Sequence, residues 1–218
     1  MDWLLFKHKE TSRMTIDINV EKGTILITQR WRMADRGNTS STSIEYFKRM
    51  VVSTIQTIWN RRCFINLIDR NATKKEDRKK SFILDFKIRW VTSNEHWKVY
   101  MQSEGVSFIN WIARTIHLDM LDIKPQQKLG APRGLEQYPV AHEFGHTIGN
   151  VRGAFPSIIM GFNRMSIISH GDEYGIAPSI RNSETINRQR REYIADISSI
   201  MNVGNGLRRR HLDYILQE

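Results

Sequence analysis

The chain has 218 residues, 40% of them hydrophobic and 26% charged, with six tryptophans. That is enough apolar content to bury a core, and it excludes wholesale disorder. The length predicts one domain, or one domain of two lobes around a cleft. Cys63 is the only cysteine, which excludes an intrachain disulfide and any need for an oxidising compartment in folding. Net charge is +10 with a pI near 9.9, and basic residues cluster at Lys74–Lys80, Arg188–Arg191 and Arg208–Arg210. A solvated basic surface accounts for this, and it would also attract an anionic polymer. No zinc-finger, RRM or P-loop pattern accompanies the charge, so nucleic acid is not the expected partner.

At the N-terminus only Trp3-Leu4-Leu5-Phe6 is consecutively apolar, too short a core for a secretory signal. No later run reaches membrane-spanning length. The expectation is a soluble protein without a membrane span. It is cytoplasmic in its producer or exported by a signal-independent route into a target cell.

Thr15–Val20 alternates strictly, as a half-buried strand does. Glu21-Lys22-Gly23 is a turn signal, and Thr24–Trp31 completes a hairpin. Asp35–Ser43 is a polar loop ending at a possible N-cap, Ser43. Phe47, Met50, Val51, Thr54, Ile55, Ile58 and Trp59 then predict a helix over Ile44–Trp59. Short strands are expected at Cys63–Ile68, Ser81–Val91 and Trp97–Gln102, with edge strands at Val106–Ile112 and Thr115–Leu118. Cys63 opens an apolar run and is expected to be a buried structural thiol. Met120–Leu135 holds Pro125, Gly130, Pro132 and Gly134 and predicts a long loop. Leu207–Leu216 predicts an amphipathic helix with Leu207, His211, Tyr214 and Ile215 along one side. Strands, an early helix and a later functional helix predict an α/β (α+β) fold.

The loop leads into His142-Glu143-Phe144-Gly145-His146-Thr147-Ile148-Gly149. Histidines four apart lie one turn from each other on one helix face. Both imidazoles can then reach one Zn²⁺ at about 2.0–2.1 Å. Glu143 follows the first histidine too closely to share that coordination easily, and it suits the role of general base to a metal-activated water. Val140, Phe144 and Ile148 give the helix a buried stripe, Pro139 suits its first turn, and Gly149 suits its end.

His142-Glu143-x-x-His146-x-x-Gly149 resembles the zincin metallopeptidases, and its glycine resembles the metzincin branch. Ser199-Ile200-Met201-Asn202 is similar to the Met-turn beneath the metal of that branch, which implies that Met201 packs under the imidazoles. The resemblance implies a twisted mixed sheet with a backing helix and an active-site helix. A single metallopeptidase domain over 1–218 follows, with an N-terminal lobe over 1–149 and a small irregular C-terminal lobe over 150–218.

The metzincin pattern breaks at Arg152, where a ligand is due and an obligate cation stands. His170-Gly171-Asp172-Glu173-Tyr174-Gly175 resembles a bacterial ligand segment displaced by an insertion, which implies Asp172 as third ligand. His170 and Glu173 remain alternatives. Arg191-Glu192-Tyr193-Ile194-Ala195-Asp196 resembles the second helix of the gluzincins, where Glu192 would bind metal and Asp196 would steady a histidine.

The implied activity is zinc-dependent peptide-bond hydrolysis with Glu143 as base. Tyr174 or His211 would stabilise the oxyanion, and a protein or peptide would be the substrate. Similarity to bacterial sequences implies an effector or toxin. The alternatives are a peptidoglycan-cleaving zinc hydrolase and a non-enzymatic basic binding module for nucleic acid or an anionic surface.

Overall fold

The fold is that of a computed structural model, which describes residues 8–34, 39–68, 73, 79–111, 113–128, 131–148, 196–212 and 215. The chain divides into two compact units. The first comprises Met1–Ser103 and Asn110–Leu118, and the second Glu104–Ile109 and Asp119–Glu218. Among the described residues the elements make a mixed α/β fold with one mixed sheet and few helices. Among the described residues no helix is long and apolar enough to cross a membrane.

The first unit is built on β3 (Thr24–Met33), which alternates buried Ile25, Ile27 and Trp31 with less buried neighbours. It pairs antiparallel with β2 (Thr15–Asn19), as the hairpin signal predicts. β1 (His8–Glu10) pairs antiparallel with β2 in turn. Helix α1 (Ser41–Trp59) and β4 (Phe64–Ile68) follow, then β5 (Lys79–Trp90), which pairs parallel with β3 and antiparallel with β4. β6 (Trp97–Met101) pairs parallel with β3 beyond the end of β2, and β8 (Thr115–Leu118) pairs parallel with β6. A three-residue strand, β7 (Phe108–Asn110), lies between β6 and β8 in sequence.

Helix α1 buries Phe47, Val51, Ile55 and Trp59 at fourth-residue spacing and packs on β5, with Trp59 edge-on to Phe86. On β5, Phe82, Leu84, Phe86 and Ile88 alternate into the core. Each such side chain contributes about 1.5–3 kcal/mol when fully buried. The helix begins earlier than Ser43 predicts: Ser40 is the N-cap, and its hydroxyl accepts from the Ser43 N–H. Five hydroxyl residues in a row, Thr39–Ser43, are all competent caps, so capping propensity does not choose among them. The Cys63–Ile68 run is less buried than its composition predicts, since Phe64 and Ile68 are exposed and Cys63 is half-buried ahead of β4.

β1 carries three polar residues, and its Glu10 side chain reaches Arg30 of β3 and His96 just before β6. Glu10 accepts from Arg30 at 2.6 Å and from His96 Nε2 at 2.9 Å, while His96 Nδ1 accepts the Arg30 backbone N–H. His96 is therefore neutral with its proton on Nε2. The Arg30 hydrogen bond is the main reason the Glu10 carboxyl falls from 4.5 to about 2. Burial holds His96 below the ordinary 6.5.

Both shifts are downward, so both contribute stability at neutral pH that acid removes. The His96 contribution fades as pH falls below 6.5, and the Glu10 contribution fades from 4.5 toward 2. We expect the melting temperature to fall on acidification from neutrality, with a shallower early slope in His96→Gln. An identical pH profile in that variant contradicts the assignment.

Candidate metal centre

The site lies within the second unit. Its approach, expected to be a long loop, is closed by local hydrogen bonds. Asp119 N–H donates to Asp122 Oδ2 at 2.7 Å, and Leu121 N–H donates to Asp119 Oδ1 at 2.7 Å. Gln126 and Gln137 then exchange both backbone bonds across an isolated antiparallel bridge. Burial pushes the Asp122 carboxyl up.

Helix α2 (Pro139–Ile148) starts immediately after this bridge. The Tyr138 carbonyl accepts from His142 N–H, and the Val140 N–H, which has no partner inside the helix, donates to the Asp122 carbonyl at 3.1 Å. Pro139 has no N–H to satisfy, which is why proline suits this position. The apolar stripe of Val140, Phe144 and Ile148 is buried as expected, but so is every other residue of the helix. Its polar side chains are therefore buried with it.

His142, Glu143 and His146 are 4%, 6% and 7% exposed, and their ligand-type atoms lie within 4.8 Å of one another. The two Nε2 atoms face each other at 3.1 Å. Two imidazole nitrogens sharing one tetrahedral zinc at ordinary bond lengths stand about 3.3–3.4 Å apart. The pair thus fits a zinc ion with a shift of a few tenths of an ångström.

The tautomer also fits. His142 Nδ1 lies 2.7 Å from the Ile200 carbonyl oxygen, which carries no proton, so Nδ1–H must donate. In the neutral ring that leaves the Nε2 lone pair facing His146. An outer partner that fixes the ring in this way is the usual companion of a metal-bound histidine.

Ile200 belongs to the segment 198–206, which holds the fully buried Met201. The segment folds on itself: Ile200 N–H donates to Gly206 O, Gly206 N–H to Ser198 O, and Asn202 and Gly204 N–H to Ser199 O. Met201 N–H donates to Ser199 Oγ. A Cβ at Gly204 would meet the Ser198 backbone at 2.4–2.7 Å. Gly204→Ala is therefore expected to cost about 1–3 kcal/mol through overpacking and to weaken zinc binding with it. Denaturant unfolding and chelator competition measure the two effects, and wild-type values for both contradict the packing described.

His211 is 1% exposed and lies in a 3-10 turn, Arg209–Leu212, where the sequence predicts a longer amphipathic helix. Residues 213, 214 and 216 of that prediction lie outside the described residues. His211 Nδ1 accepts the Arg208 N–H at 3.1 Å, so Nε2 carries the proton and donates to Ser199 Oγ at 3.2 Å. One ring nitrogen thus serves the 198–206 loop and the other the Arg208 backbone, and His211 is not in the His142–Glu143–His146 group. Asp196 accepts twice from the Arg208 guanidinium, at 2.6 and 2.7 Å, where the gluzincin likeness gives it a histidine. Asp172, Tyr174, His170, Glu173, Glu192, Arg152 and Gly149 lie outside the described residues.

Sequence reasoning did not single out Gln137, Asn205, Gly204 or Gly206. The run Val203-Gly204-Asn205-Gly206 is a turn signal that marks the loop. Nothing local marks the role of Gln137, because the carbonyls its side chain donates to are more than 60 positions away. No protein-family model, no curated protein and no solved structure matches the chain.

Proposed function

We propose that the chain is a zinc metallopeptidase of zincin type, nearer the metzincins than the gluzincins. The observation that carries this reading is the buried pair of facing Nε2 atoms, 3.1 Å apart, with the Glu143 carboxylate beside them. His142 and His146 hold the metal, with Asp172 proposed as third protein ligand. When bound, Zn²⁺ supplies Lewis acidity and makes water acidic enough to ionise near neutral pH.

Glu143 moves the proton. Its carboxylate orients the attacking water, takes the proton, and delivers it to the amine nitrogen as the C–N bond breaks. Burial of all three side chains keeps bulk water from screening these charges. Tyr174 is proposed as the oxyanion donor, because the ring nitrogens of His211 are engaged with Ser199 and the Arg208 backbone. The Met-turn reading of Ser199–Asn202 draws support from the buried Met201 and the Ile200–His142 hydrogen bond. The substrate class is protein or peptide, and the role of a bacterial effector or toxin rests on resemblance alone.

A second reading, a peptidoglycan-cleaving zinc hydrolase, is favoured by the net charge of +10, since cell-wall polymers are anionic. Incubation of the zinc-loaded chain with a denatured protein and with purified peptidoglycan separates the two. Chelator-sensitive cleavage of the protein supports the peptidase, and cleavage of peptidoglycan alone supports the second reading. Salt-sensitive binding to nucleic acid without cleavage of either would show a binding module instead.

A further inference from the structure

We propose that Gln137 is a positioning residue for the metal centre: its carboxamide holds the Ile200 carbonyl that keeps His142 in the Nδ1–H tautomer. The proposal rests on the metallopeptidase reading only for the use made of the Nε2 lone pair.

Within the 198–206 loop the N–H groups of residues 200, 201, 202, 204 and 206 are all taken up inside the loop. The carbonyls of Ile200, Asn202 and Gly204 instead converge on one atom, Gln137 Nε2, at 2.8, 2.7 and 3.1 Å. An amide nitrogen has two protons for these three oxygens. The Ile200 oxygen has two lone pairs, and it receives one hydrogen from Gln137 and one from His142 Nδ1. One carbonyl therefore couples the Gln137 amide to the orientation of a metal-ligand ring.

Gln137 Nε2 also lies 3.3 Å from His142 Nδ1. Both of these atoms carry hydrogen in the arrangement described, so that contact is not a hydrogen bond. The opposite tautomer would accept there, but the nearer carbonyls already compete for both Gln137 protons. With a lone pair on Nδ1, the ring would also face the Ile200 oxygen without a proton between them. The local geometry thus disfavours the tautomer that would cap Nε2 with a proton.

Gln137 is 0% exposed, and its Oε1 has no hydrogen-bond partner among the described residues. An amide present only to fill space would gain nothing from a buried, unsatisfied oxygen. The donor end is the part in use. Its backbone is clamped to match: Gln137 bridges Gln126, while the Asn205 amide accepts from Tyr138 N–H and donates to the Glu136 carbonyl. The side chain is thereby held two residues before the start of α2.

Gln137→Met keeps the length of the side chain and removes both donors. Long-range proton–nitrogen NMR of the histidine rings in the zinc-free full chain reads the tautomer directly. We expect His142 as Nδ1–H in the wild type and a tautomer mixture in the variant, with zinc affinity by chelator competition reduced about 10- to 100-fold. The wild-type tautomer in Gln137→Met overturns the proposal, whatever the affinity. Should the variant not fold, the wild type decides alone: His142 found as Nε2–H, or fast-exchanging Gln137 amide protons, overturns it equally. Failure of the enzymatic reading looks different. The tautomer result would then stand in a protein that binds no zinc or cleaves no peptide bond.

Discussion

Glu143→Gln is expected to leave zinc in place and to lower peptide-bond cleavage by about 10²–10⁴-fold, the usual contribution of a positioned general base. Glutamine keeps the shape of a side chain that is 6% exposed, so packing is disturbed little. It cannot take a proton from water at neutral pH. Zinc content and turnover should therefore separate in this variant. Wild-type turnover would remove Glu143 from the mechanism. Loss of zinc would show instead that Glu143 binds the metal, which its place in the same 4.8 Å group makes a real contrast.

His146→Ala is expected to abolish stoichiometric zinc and, with it, all cleavage. The loss of affinity should exceed the about 10- to 100-fold cost of removing an outer-shell partner, because a direct ligand is gone. His142→Ala should do the same and also loosen the 198–206 loop, since the Ile200 carbonyl loses its ring donor. The double variant should be no worse in turnover than either single one, because residues that act as one unit are not additive. Elemental analysis of purified protein measures the zinc, and full zinc in both single variants would place the metal elsewhere.

Much of the fold was legible because it is written in local periodicity. The alternation of Thr15–Val20 and the β-branched residues of Thr24–Trp31 after a turn signal located β2 and β3, and fourth-residue spacing located α1 and its buried stripe. The start of α2 followed from Pro139, whose missing N–H is harmless there. What was not legible depends on distant partners. β1 is His8-Lys9-Glu10, with no apolar pattern; it pairs with β2, and its Glu10 side chain bonds Arg30 and His96.

The candidate site divides in the same way. The motif itself identifies His142, Glu143 and His146, because their spacing is the geometry of one helix face. The residues that orient His142 come from a loop 58 positions further on. Nothing in that loop's composition shows that its carbonyls turn toward Gln137. His211 was placed near the site by sequence distance alone, and its ring is bonded to Ser199 and Arg208.

Zinc-edge X-ray absorption on the purified, zinc-loaded full chain tests the metal centre most directly. It counts imidazole ligands and measures their distances without needing a substrate. Two histidine nitrogens at about 2.0–2.1 Å, with the remaining positions taken by oxygen, are the expected result. A chain that binds no stoichiometric zinc, or a spectrum without scattering from two imidazoles, would contradict it.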